Sequence, residues 1–353
     1  MAQATQSNGL FEQDATARDR LNAVNACKRR FLRQDVTAAL IMFALLVLIP
    51  ALPFVKGWMV SQASLVIIFI IAGMGISILV GYTGLVSVGH GGFLAIGAYT
   101  SALLTKYFAV DLVIGIIAAT LVSAFFGALL ALVFLRLSGA FMAIGTLGFA
   151  FFVGTVVNNV PIFEGRDGIL LDDNIVLGME IGDFGFYYVS IVTLALITLF
   201  VYCIVNSGTG RAFMALRDSE KAAMSSGVNR LLYRTLAFSI SAGITGSAGA
   251  LNAHIVNYVS AEVYADIWFS VDILMAVVVG GPALLFGPYL GGIFVVMLPF
   301  FLEELADFAF ILKGVVLILV LRFAQQGVGE VLFRPIHNYR RRKLLEVGGA
   351  KVD

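Results

Sequence analysis

From Val36 to Phe323 the sequence alternates long apolar runs with short polar breaks. A helix crossing a hydrocarbon core of about 30 Å needs about 20 apolar residues. Against that length the chain predicts ten spans, near residues 36–55, 60–80, 87–108, 112–136, 140–160, 187–206, 233–256, 268–282, 286–302 and 309–323. The third and the eighth to tenth are the least regular. They carry glycines, are short, or include Asp272 and Lys313, so one of them is open to being re-entrant. The expected fold is all-α: a polytopic membrane protein of about ten transmembrane helices whose glycine-rich third helix is broken.

Composition supports a lipid solvent. The chain is 60% hydrophobic and 13% charged, whereas soluble domains are roughly 45–50% apolar and about 25% charged. A net charge of +1 gives no basic field for nucleic acid, and the two cysteines, Cys27 and Cys203, do not form a disulfide framework. No apolar core of signal-peptide length precedes Val36. Lys and Arg collect on the cytoplasmic side of membrane proteins. Ten spans with the N-terminus inside place all of the 23 Lys and Arg there except Lys56, Lys106, Arg166 and Lys313. Acidic residues fall outside, with Glu164, Asp167, Asp172, Asp173, Glu180 and Asp183 in one loop and Glu303, Glu304 and Asp307 in another. The expected organisation is a cytoplasmic tail (1–35), a transmembrane domain (36–325) and a second cytoplasmic tail (326–353). Residues 161–186 form an outer loop, either docking an external partner or simply solvated, and residues 207–232 form an inner segment.

The inner segment, GTGRAFMALRDSEKAAMSSGVNRLLYR from Gly208, is polar on one face and apolar on the other. Helical spacing joins Arg217 to Lys221 and Asp218 to Ala222. The expected form is one helix, a glycine stop at Gly227 and re-entry through Val228 to Tyr233. An interfacial helix lying on headgroups is one reading. Asp218 and Glu220 on the charged face disfavour anionic lipid, and the small residues around Ala222 and Ala223 suit a protein groove. The segment resembles the coupling loop of permease subunits of branched-chain amino acid ABC importers, with a pattern near GRAxxAIRExExAAxxxGIN. Gly210, Arg211, Ala212, Ala215, Arg217, Glu220, Ala222, Ala223, Gly227 and Asn229 match in register, and Leu216, Asp218 and Val228 are conservative departures. The resemblance implies that Gly210, Arg211, Ala215, Arg217, Asp218, Glu220, Ala222, Ala223 and Gly227 couple the chain to an ATPase.

Residues 81–100 read GYTGLVSVGHGGFLAIGAYT. Each glycine inside a helix costs about 0.8–1 kcal/mol relative to alanine, so this cluster predicts an unwound stretch at 84–90 followed by a half-helix from Gly91. Free amides at such a break present positive dipole to an anionic group. His90 is either packed within the turn or in contact with substrate. No second His, Cys or carboxylate stands at ligand spacing from it, and His254 and His337 are distant, so no metal and no other cofactor is expected. This stretch resembles the same family's GYTGQxSLGHAAFFGIGAYT, departing at Leu85, where the family usually has Gln, and at Gly91 and Gly92. Further stretches, Ala143–Asn159 followed by Glu164–Ile169, and Val271–Pro288, resemble family segments in the same order, with Pro282 expected to break a helix end. The long N-terminal extension resembles the larger, LivM-type permease of a pair. A pathway lined by Gly84, Ser87, Gly89, His90, Gly91, Gly92, Phe93, Tyr99 and Asp272 follows from the break and the resemblance together.

The resemblance implies a non-enzymatic importer subunit whose partners are a second permease of the LivH type, two ATP-binding cassette ATPases, a substrate-binding protein and membrane lipid. The chain has no GxxxxGK[ST] phosphate loop of its own. The alternative is an ion-coupled secondary transporter acting alone. That mechanism needs carboxylates inside the membrane, and only Asp272 qualifies, near the outer end of the eighth span as a pathway-mouth residue or a polar cap. An intramembrane hydrolase lacks a Ser-His or paired-Asp arrangement at common depth.

Overall fold

The computed structural model describes residues 56–301 apart from breaks at 135–136, 138, 166, 172–174, 177 and 265–266, with a few isolated positions on either side. The spans expected near 36–55 and 309–323, and both tails, lie outside this range. Helix α1 (Gly57–Ile76) runs on into a π-helical turn (Ser77–Tyr82). It is followed by α2 (His90–Phe108), α3 (Leu112–Phe134), α4 (Ala140–Asn159) and α5 (Asp183–Val205). Two short helices, α6 (Gly208–Asp218) and α7 (Glu220–Ser225), lead into the long α8 (Arg230–Val256). After the short α9 (Ala261–Tyr264), α10 (Ile267–Gly280) and α11 (Gly287–Phe301) form a hairpin.

Among the described residues, four helices are long and apolar enough to cross a membrane: Gly57–Tyr82, α3, α4 and α5. On α3, α4 and α5 large side chains such as Leu121, Phe125, Ile144, Phe152, Leu196 and Leu199 point outward and stay exposed, as lipid-facing surface requires. α2 and α8 are also long but less apolar, because protein surrounds them. α8 packs most extensively on α3, then on α2 and α1, and its residues Ser241–His254 are all buried. Lipid offers no hydrophobic drive between helices, so such a centre is held by close packing through small residues. At the α2–α8 crossing a Cβ on Gly97 would lie 2.0 Å from the Gly246 carbonyl oxygen, and one on Gly249 2.1 Å from that of Leu94. Ala242, Gly243, Gly246, Ser247 and Ala250 thus pack within this chain, as do Gly287 and Gly291 on α11.

The two ends of the bundle differ in charge. Arg211, Arg217, Lys221, Arg230 and Arg234 stand at one end; Glu164, Asp167, Glu180 and Asp183 stand at the other, with Lys106 paired to Glu164. The described residues of the long loop at the acidic end form short regular elements. The loop contains a 3-10 turn (Pro161–Phe163) and two antiparallel pairings: β1 (Ile169–Leu170) with β4 (Tyr258–Val259), and β2 (Ile175–Val176) with β3 (Met179–Glu180). Ile169 is fully buried, and the β1–β4 pairing ties the loop to the end of α8.

The inner segment departs from the single helix expected. Ser219 is extended (φ −159°, ψ 107°) and divides it, because its hydroxyl caps α7 by accepting from the Ala222 amide. The stop at Gly227 is present, with φ +86°. Val228 N–H donates to the Ala223 carbonyl and Gly227 N–H to that of Met224, both at 3.0 Å, forming a Schellman closure. Pro282 likewise follows the end of α10, after Gly281 at φ +102°.

The crossing gives a paired stability test. Gly97→Ala is expected to destabilise the purified protein in detergent by about 1–3 kcal/mol through overpacking. Gly148→Ala, on an exposed face with nothing within 4 Å, is expected to be neutral or to gain up to about 1 kcal/mol from helix propensity. Thermal unfolding of both variants measures the difference.

Candidate functional site

The glycine-rich break is a helix–extended–helix passage. Residues 84–89 leave the helix, and Gly84 turns the chain with φ +70°. Leu85 N–H returns to the Leu79 carbonyl at 3.0 Å. Val88 N–H donates to Thr146 Oγ1 (3.1 Å) from α4, and Gly91 N–H to Ser270 Oγ (3.0 Å) from α10. Gly92 N–H closes on the Gly89 carbonyl (3.1 Å). Irregular backbone at membrane depth survives only where protein satisfies it, and hydroxyls of neighbouring helices do so here.

His90 starts α2 and is fully buried. Its Nδ1 lies 2.9 Å from Ser87 Oγ and its Nε2 2.7 Å from Ser241 Oγ, while Ser241 Oγ donates to the Gly75 carbonyl at 2.6 Å. A hydroxyl has one proton. Ser241 gives its proton to Gly75 and therefore accepts from His90 Nε2–H; Nδ1 of the singly protonated ring then accepts from Ser87. The imidazole links the break to α8, and Ser241 carries the link on to α1. Ser241 is about three turns into α8, or roughly 16 Å from its basic end at 1.5 Å per residue, so α2 begins well inside the bundle.

The expected pathway residues divide by position. Gly84, Ser87, Gly89, His90, Gly91, Gly92 and Phe93 are brought together around the break; Gly84 is exposed and the others are buried. Phe93 packs edge-on to His90, with centroids 5.5 Å apart. Tyr99 lies further toward the acidic end, its hydroxyl donating to the Val259 carbonyl at 3.5 Å. Asp272 lies near the start of α10, two positions after Ser270, whose hydroxyl accepts from Gly91 N–H, and is half-buried.

The inner segment sits directly beneath this break. Gly210, Ala212, Phe213 and Leu216 are the buried face of α6, with Phe213 edge-on to Tyr233. Ala223 is buried on α7, Ala215 is partly covered, and Arg211, Asp218, Ala222 and Gly227 are exposed. Arg217 Nη1 donates to the Gly81 carbonyl at 2.7 Å, and its Nε reaches Asp218 at 3.3 Å. A Cβ on Gly84 would stand 2.8 Å from Arg217 Cγ. The guanidinium thus closes the C-terminal end of the α1 π-turn, where a cation also favours the helix dipole, typically by about 0.3–1 kcal/mol. Glu220 bridges α7 to α8, bonding Arg234 at 2.9 Å and also Arg230. The π-turn also meets the α10–α11 loop: Ser77 Oγ donates to the Pro282 carbonyl at 2.7 Å.

The sequence marks Gly81 only as a member of the glycine cluster, and it does not mark Ser241. Both lie far along the chain from their partners, and a serine in a small-residue helix reads simply as packing. Ser241→Ala leaves a buried imidazole N–H and the Gly75 carbonyl without that hydroxyl, at an expected cost of about 1–3 kcal/mol. Equilibrium unfolding measures it, and nitrogen NMR of labelled His90 in the native protein is expected to show the proton on Nε2.

Comparison with known proteins agrees with this architecture. Residues 58–323 match the family described as branched-chain amino acid transport system / permease component. The chain is 33% identical over 322 residues to the high-affinity branched-chain amino acid transport system permease protein LivM of Salmonella typhimurium, covering 83% of this chain and 75% of the relative. It is 34% identical, with the same coverage, to the LivM protein of Escherichia coli. No solved structure matches it significantly. A membrane bundle with a glycine-built break and an amphipathic segment seated beneath it is thus found in a chain that belongs to the branched-chain amino acid transport permease family.

Proposed function

We propose that this chain forms half of the translocation pathway of a binding-protein-dependent ABC importer in the bacterial inner membrane, carrying branched-chain amino acids or a related small polar solute. The observation that supports this most is the placement of α6 and α7: an amphipathic segment with an exposed charged face, seated under the break in the bundle. The chain is a translocation subunit and not an enzyme. It carries no phosphate loop, so ATP is hydrolysed on separate ATPase subunits. The full assembly in this reading contains a LivH-type second permease, two ATPases and a substrate-binding protein.

The basic end is then cytoplasmic, with both termini on that side, and the acidic end with its long loop faces the binding protein. ATPase closure moves the α6–α7 segment, and the bundle shifts between outward-open and inward-open populations. Gly84, Ser87, Gly89, His90, Gly91, Gly92, Phe93, Tyr99 and Asp272 stand in this reading as pathway residues. Arg211, Asp218, Lys221 and Ala222 supply the face that meets the ATPase. A stand-alone ion-coupled transporter would need intramembrane carboxylates; family membership favours the importer.

Purified alone in liposomes, the chain is expected neither to transport under an ion gradient nor to hydrolyse ATP, and uptake by the chain alone would instead support the ion-coupled alternative. In the assembled importer, Gly227→Ala forces a side chain into φ +86°, a strain of about 1–3 kcal/mol. It is expected to lower solute moved per ATP while the chain still assembles with its partners; uptake and ATPase assays on one preparation check this.

A further inference from the structure

The α6–α7 segment has two kinds of charged residue. Arg211, Asp218 and Lys221 are exposed, and among the described residues no bond joins them to another helix of the chain, Asp218 pairing with its neighbour Arg217. Arg217 is also exposed along part of its side chain, but its Nη1 reaches the Gly81 carbonyl, and the half-buried Glu220 bonds Arg230 and Arg234. We infer that Arg217 and Glu220 are positioning residues that transmit movement within the chain, Arg217 by capping the π-turn of α1 and Glu220 by gripping α8, so that α6, α7, the break and the foot of α8 move as one unit. This rests on the reading of α6–α7 as the ATPase-coupled segment.

Three features converge on Arg217. Gly81 lies at the end of a π-turn, a rare irregularity that leaves helix-end carbonyls to outside donors. Arg217 fills that role with a charged, directional donor 136 positions away in sequence. Gly84 has no side chain where the Arg217 stem passes, and any Cβ there would collide with Arg217 Cγ at 2.8 Å. The same turn is also held by Ser77, which donates to the Pro282 carbonyl, and a Cβ on Gly81 would lie 1.7 Å from that oxygen. The turn is therefore fixed between the inner segment and the α10–α11 hairpin, and displacing Arg217 loads the peptide links that lead into residues 84–89 and the start of α2. Through Glu220 the same displacement draws on Arg234, about two turns before Ser241 and its bond to His90. Both routes from the segment thus end on the helices joined by the imidazole.

The test uses the assembled importer with a tagged copy of this chain, carrying Arg217→Ala, Arg217→Lys or Gly84→Ala. Three quantities are read: ATPase subunits retained per complex, solute moved per ATP, and hydrogen exchange of amides 77–89 with and without vanadate-trapped nucleotide. The expected result for Arg217→Ala is full ATPase retention, a fall in solute per ATP of roughly fivefold or more, and exchange at 77–89 that no longer responds to nucleotide. Gly84→Ala, which obstructs the seat from the other side, is expected to reproduce this, and Arg217→Lys to restore part of the response. Loss of ATPase subunits from Arg217→Ala, or an intact nucleotide response at 77–89, would overturn the assignment while leaving the importer reading in place. Failure of the wild-type complex to retain any ATPase would overturn both.

Discussion

Backbone that leaves a helix within a membrane must find its hydrogen bonds in protein, because lipid supplies none. Residues 84–89 impose that constraint here, and the neighbouring helices are arranged around it. Thr146 from α4 and Ser270 from α10 take the freed amides; Arg217 from α6 takes the carbonyl at the end of the π-turn. His90 then joins the start of α2 to Ser241 on α8, and Ser241 joins α8 to α1. Moving any one of these elements unsatisfies another, so the irregular passage serves as the junction of the bundle.

The same arrangement explains the distribution of residue types. The lipid-facing α3, α4 and α5 are more apolar than the central α2 and α8. The central α2 and α8 are built from Gly, Ala and Ser because backbones must approach closely for dispersion and short polar contacts to hold them. The apolar exterior gives the chain its place in the membrane, and the small-residue interior sets the geometry of the break. The inner segment combines both devices: Phe213 and Leu216 anchor it, and Arg217 and Glu220 direct it.

Much of this was legible in the sequence. The run ending at Phe134 reads as a span because lipid imposes a length, and Leu112–Phe134 agrees with the expected 112–136. The glycines of 81–97 announced a bend or a close approach, since either justifies their cost to a helix, and both occur: residues 84–89 leave the helix and Gly97 packs on Gly246. Gly227 marked a helix end because a positive φ suits little else. Contacts between distant residues were not legible. Asp218, Ser219 and Glu220 read as one helical run, whereas Ser219 divides it by capping the next turn. The β1–β4 pairing depends on where α8 ends in space, and a two-residue strand leaves no pattern. Arg217 resembled a partner contact because its target is a backbone carbonyl, which no side-chain pattern reveals.

In this mechanism the break and the inner segment move together. Pairwise spin-label distances among positions 86, 170 and 221, in an assembled importer lacking Cys27 and Cys203, test it most directly, since Val86, Leu170 and Lys221 are all exposed. On trapping nucleotide, the 86–221 distance is expected to hold while both positions shift relative to 170 at the acidic end. A change in the 86–221 distance with 86 fixed relative to 170 would show that the two parts move separately.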